Sequence, residues 1–223
     1  MSLPVVLQRV KDLGYKVFDG AADYDLNIVG IRSKDKTVNT FNDLITISYK
    51  LRGQWHTRSW ACTTDPGLYW LNNPGRTEGT AILCPGQYQG CYKLGKHRGS
   101  YTALTQSKPV RVFRDPDRDD EHDFDVSTQE GLFGINIHRA NKSRRSAQVD
   151  RWSAGCQVFA DPKDFAEFLK LCEMFPEDEG ARREWLAGII AAQLDIPGLG
   201  EAAEKRIVLA LLDLITDLVD GED

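Results

Sequence analysis

The chain has no long uninterrupted apolar run, no cysteines paired at CxxC spacing and no surplus of positive charge. Each absence removes a class of function. Without CxxC pairs, the five cysteines, Cys62, Cys84, Cys91, Cys156 and Cys172, do not read as a zinc site, and no metal or other cofactor is expected. Their odd count leaves at least one free thiol in a monomer. Cys84 and Cys91 flank Pro-Gly-Gln-Tyr-Gln-Gly and would pair only if the strands around that turn brought them together, so reduced cysteines are the working expectation. A formal net charge of −5 argues against a general polyanion binder, and no nucleic-acid partner is expected. The segment Met1–Arg9 carries no apolar stretch of signal-peptide length. The most apolar helical pattern, near the C-terminus, is too interrupted by charge to predict a membrane span.

What is present suffices for one substantial core with an appendage: 223 residues, 41% of them hydrophobic. Residues 1–24 read as a short amphipathic helix and a linker, with Gly14 where the helix should stop. From residue 25 the pattern turns to period-two and β-branched runs at Leu26–Ile31, Leu44–Leu51, Trp55–Cys62, Thr80–Leu83, Tyr88–Leu94 and Val110–Phe113, separated by Gly and Pro. Many short strands in succession predict a mainly β fold, a curled sandwich or barrel. Trp55, Trp60, Tyr69 and Trp70 lie close in sequence and serve either as an aromatic wall for a ligand or as core. The aspartates of 115–125 resemble the start of a calcium loop, but Asp120 replaces the turn glycine and Val126 the bidentate glutamate, which favours a solvated acidic loop.

Asp161-Pro162-Lys163-Asp164 supplies an N-cap, a proline at the first helical position and a first-turn acid. A helix through Phe165, Phe168 and Leu169 should bury Cys172. Two further amphipathic helices, 181–194 and 201–219, make residues 177–223 a C-terminal helical extension. Its apolar face is to be covered either within the chain or by a second copy in a homodimer.

The chemistry concentrates in Gly134-Ile135-Asn136-Ile137-His138 and Trp152-Ser153-Ala154-Gly155-Cys156-Gln157-Val158-Phe159. A thiol attacks carbonyl carbon as the thiolate, and an imidazole on a strand can take its proton. A small-residue turn around the thiol leaves backbone N–H groups free to hold a tetrahedral oxygen. Cys156 is therefore the expected nucleophile, His138 the base, Gly155 part of the oxyanion hole and Ser153 the residue that fixes the turn. Asn136, two residues before His138, shares its strand face and is a candidate to orient the imidazole. His97 and His122 are weaker bases, since neither lies on an alternating apolar strand. A buried structural thiol with a satisfied core histidine is the competing reading.

His138, fourteen intervening residues and then Ser153-Ala154-Gly155-Cys156 resemble the signature of the L,D-transpeptidase catalytic domain (YkuD-like). The resemblance covers roughly residues 25 to 175, with its specific part in 134–159, and assigns residues 25–176 to a catalytic domain. Many members carry Gly after the histidine and Arg shortly after the cysteine, where this chain has Arg139 and Gln157-Val158. The resemblance implies cysteine-dependent acyl transfer on peptidoglycan stem peptides, with a tetrapeptide donor cleaved before its terminal D-alanine. An amine acceptor gives transpeptidation; water gives carboxypeptidase or endopeptidase action. The alternative is an inactive wall-binding or structural protein on the same fold. Between His138 and Trp152 stand Arg139, Lys142, Arg144, Arg145 and Arg151 against one acid, Asp150. That loop either holds stem carboxylates or is a solvated surface; Arg139, Arg151, Asn136 and Trp152 are the substrate-facing candidates. A cell-wall substrate would have to be reached through lysis or a dedicated secretion route.

Overall fold

Alternating side chains and tight turns produce most of the architecture. The computed structural model describes residues 2–174 and 189–191. The strands are β1 (Asn27–Ile31), β2 (Asp43–Leu51), β3 (Gln54–Thr63), β4 (Thr80–Leu83), β5 (Gly86–Tyr88), β6 (Tyr92–His97), β7 (Tyr101–Gln106), β8 (Val110–Asp115), β9 (Thr128–Gly131), β10 (Ile137–Arg139), β11 (Gln157–Phe159) and β12 (Ile189–Ala191). The helices are α1 (Val5–Asp12), α2 (Leu68–Asn72) and α3 (Pro162–Glu173). The protein is mainly β, with a short N-terminal helix and a helix following the last long run of strands.

Nine strands form one sheet in the order β5-β12-β1-β2-β3-β11-β10-β7-β6, curled into a half-barrel, and β4-β8-β9 form a second. The β2–β3 hairpin closes through Arg52-Gly53, both at positive φ (52° and 79°), as a two-residue turn matched to strand twist requires. A three-residue turn, Arg98-Gly99-Ser100, closes β6–β7, with Arg98 and Gly99 at φ of 48° and 70°. The core joins Ile45, Ile47, Leu104, Ile137 and Phe159 of the large sheet to Phe165 and Phe168 of α3. Asp161 caps α3 by accepting the Lys163 N–H at 2.8 Å, and Cys172 is buried on its inner face. Cys62, Cys84, Cys91, Cys156 and Cys172 are all free thiols.

The chain divides into two units, Met1–Gln193 and Leu194–Asp223, so the boundaries expected at 24/25 and 176/177 fall within the first. Gln87 Oε1 accepts the Lys16 N–H, and Asn27 exchanges hydrogen bonds with the Phe18 backbone, tying the linker to the sheet. Ile189–Ala191 is a strand where the periodicity predicts helix, pairing parallel with β1 and antiparallel with β5. Consecutive β-branched isoleucines favour extended backbone, and the edges of β1 and β5 offer it unpaired hydrogen-bonding groups. The rest of that predicted helix, the helix expected over 201–219 and the homodimer reading lie outside the described residues. No helix among the described residues is long and apolar enough to cross a membrane.

Candidate active site

The Cys156 turn is built by its neighbours. Ser153, fully buried, donates through Oγ to the Cys156 carbonyl at 2.8 Å and accepts the Gly155 N–H at 3.1 Å. Gly155 takes a φ of +111°, and a Cβ there would lie 2.2 Å from the Ala81 carbonyl oxygen. No side-chain-bearing residue fits that approach. The turn delivers Cys156, half-buried, to the start of β11. Its Sγ accepts the Asn136 N–H at 3.4 Å and donates to the Gly134 carbonyl at 3.4 Å.

β10 and β11 run parallel, with Ile137 opposite Gln157 and His138 opposite Val158. One step back along that register, Cys156 stands beside Asn136, on the sheet face that His138 shares. His138 and Cys156 are thus diagonal neighbours across β10 and the start of β11. No hydrogen bond joins Sγ to the imidazole. His138 is 3% exposed. Its Nδ1 lies 2.9 Å from the Arg139 carbonyl, which can only accept; Nδ1 therefore carries the proton and Nε2 keeps a free lone pair. Tyr101 Oη, 3.3 Å from Nδ1, donates to the same carbonyl at 3.2 Å.

A second imidazole completes the cluster. His97, at the end of β6, stacks on His138 with centroids 4.0 Å apart. Asn136, expected to orient His138, instead holds His97: Oδ1 accepts the Gln106 N–H at 2.9 Å, which turns Nδ2 to donate to His97 Nδ1 at 3.1 Å. The physical reason is the β6–β7 hairpin, which brings His97 over the same face. Sequence reasoning underrated His97 because it missed β7; the Arg98-Gly99 pair between alternating segments was the available signal. His122 lies apart, with Nε2 3.1 Å from the Pro66 carbonyl and Nδ1 3.9 Å from Asp65 Oδ2.

Electrostatics keep the pair uncharged. Burial, reinforced by His97, pulls His138 down to about 3. Burial also lowers His97, with Arg98 adding to the effect. Burial pushes the Cys156 thiol up, against the opposing pull of the Asn136 N–H and Arg98. The free protein thus holds a neutral thiol beside a neutral imidazole. The expected oxyanion hole is narrower than two donors from the turn, because Ser153 already takes the Gly155 N–H. The Cys156 N–H has no acceptor among the described residues.

Of the substrate-facing candidates, Arg139 stacks on Tyr101 at 4.1 Å and Arg151 on Tyr69 at 3.8 Å. Trp152, 42% exposed, joins Tyr69, Arg151, Asp150 and Asn72 around an open groove of about 550 Å³. The aromatic neighbourhood therefore splits: Trp60 is core, edge-on to Phe168, whereas Tyr69 faces the groove. Lys142, Arg144 and Arg145 are exposed. At the end of β8, carboxylate oxygens of Asp115, Asp117 and Asp123 lie within 4.8 Å of one another, the arrangement among the described residues nearest to a cation site. Burial and the neighbouring acids push Asp115 up to about 6. Compared with protein-family models, with curated proteins and with solved structures, the chain matches none.

Proposed function

We propose that the protein is a cysteine acyltransferase of the L,D-transpeptidase kind, acting on peptidoglycan stem peptides. One observation carries this reading: a serine-fixed turn holds a half-buried thiol on the sheet face of a histidine whose Nδ1–H is anchored, leaving Nε2 as a base. Cys156 Sγ attacks the donor carbonyl as its proton passes to His138 Nε2, and the Cys156 N–H faces the developing oxyanion. The scissile C–N bond breaks as the imidazolium returns that proton to the leaving D-alanine amine, giving a thioester. An acceptor amine or water attacks the thioester and gives a proton to Nε2; the C–S bond breaks and the thiol is restored. Tyr101 and the Arg139 carbonyl hold the imidazole in register throughout, and His97 covers its face.

A second reading is an inactive wall-binding or structural protein. It is favoured by the bonding of Sγ to Asn136 and Gly134 rather than to the imidazole. Incubation with purified tetrapeptide stems, followed by mass spectrometry, separates the two. Release of the terminal D-alanine by the wild type and none by Cys156→Ala supports the enzyme; no release by either supports the binding protein.

A further inference from the structure

Beside the Cys156 turn lies a cavity of about 190 Å³, lined among others by Trp70, Arg76, Thr80, Arg114, Phe133 and Ala154. Ala154 belongs to the nucleophile turn, and Ala81, also in the wall, sets its carbonyl against Gly155. Arg114 is 3% exposed, and a buried cation needs compensation. Its Nε donates to Gln129 Oε1 at 2.9 Å and its Nη1 to the Gly79 carbonyl at 3.2 Å, both uncharged acceptors. Phe133 covers the guanidinium at 4.7 Å. Nη2 is buried with no hydrogen-bond partner. A second guanidinium, Arg76, lines the same cavity and adds like charge; burial first, and Arg76 second, draw Arg114 below its ordinary pKa. Glu78 is within electrostatic reach of Arg114, but it is exposed and hydrogen-bonded to Thr77. No ion pair involves Arg114 or Arg76 among the described residues.

Two guanidiniums with no ion pair among the described residues, one of them buried against uncharged acceptors, line a small cavity abutting the nucleophile turn, and that lining suits an anion. We infer that Arg114 and Arg76 form a carboxylate subsite that seats a free carboxylate of the donor peptide beside Cys156. The ligand class, a carboxylate-bearing stem peptide, rests on the acyl-transfer reading above. The role moves carboxylate recognition from Arg139 and Arg151, which are stacked on tyrosines, to a pair that the sequence alone does not single out.

The test is calorimetric binding of a tetrapeptide stem, as the free acid and with its carboxylates amidated, to the full chain carrying Cys156→Ala. The free acid should bind about 10- to 100-fold more tightly, the worth of a charge-assisted contact. Adding Arg114→Gln should remove most of that preference. Arg76 is exposed, so Arg76→Ala preserves the fold and should reduce the preference on its own even if Arg114→Gln does not fold. Equal binding of both peptides, binding of neither, or a preference untouched by Arg76→Ala overturns the subsite. Discrimination without turnover by the wild type would leave the subsite standing and remove the acyl-transfer reading instead.

Discussion

Cys156 and His138 start uncharged, and this sets how the site must answer to pH. With the thiol raised by burial and the imidazole lowered to about 3, alkylation by a neutral reagent should climb about tenfold per pH unit from 6 to 8. A preformed thiolate–imidazolium pair would give a rate already level at pH 7. Cys62, Cys84, Cys91 and Cys172 should label far more slowly, since all four are buried and their thiols are raised by burial. Replacing His138 by Gln should cost turnover roughly 10²- to 10⁴-fold. The same variant reports on stability. A base lowered from 6.5 to about 3 in the folded protein stays neutral while the unfolded chain takes up a proton, so wild-type stability is lost as pH falls through that window. Thermal melts should therefore show His138→Gln gaining on the wild type between pH 6.5 and 4; a constant difference would mean His138 titrates normally. That Cys156, His138 and the Ser153 turn lie on adjoining strands was legible in the sequence because their spacing is local to one loop. Asn136's true partner was not, because it depends on a hairpin formed some forty residues upstream.

At the scale of elements, the Ser153–Cys156 turn carries the strictest demands. Ser153→Ala removes both hydrogen bonds that shape it and should lower stability by about 1–3 kcal/mol while slowing Cys156 labelling. Gly155→Ala combines a left-handed φ with a 2.2 Å approach to a backbone oxygen, and should cost roughly 3 kcal/mol or more in denaturant unfolding. A Gly155→Ala protein as stable as wild type would show that Ala81 can withdraw. The long strands β2 and β3 and the capped helix α3 were plain from alternation, turn residues and the Asp161-Pro162 start. β7, β9 and α2 were missed. Thr128–Gly131 has no apolar alternation, and its pairing with β8 supplies what propensity does not. The run at 88–94 divides into β5 and β6 because Gly90 adopts φ +66° and turns the chain. The isoleucines of 189–191 satisfied a helical period by coincidence, and in fact the segment pairs as a strand between β1 and β5.

For the whole molecule, β12 makes the C-terminal part of the first unit a component of the large sheet. A chain ending at Gln193 should keep the half-barrel and Cys156 reactivity, whereas one ending at Pro176 loses β12 and leaves β1 and β5 with open edges. Light scattering and thiol labelling on both would check this: aggregation of the shorter chain with a well-behaved longer one is expected, and equal behaviour would deny β12 a structural role. The mainly β architecture was predictable from composition and period, because burying one face of many short strands leaves few alternatives. The central claim is chemical, and intact-protein mass spectrometry tests it most directly. The wild type, quenched in acid during turnover of a tetrapeptide stem, should carry one acyl adduct, equal to the stem less its terminal D-alanine, mapped to Cys156 and labile to hydroxylamine. Release of D-alanine with no adduct on Cys156, or undiminished release by a folded Cys156→Ala protein, would contradict it.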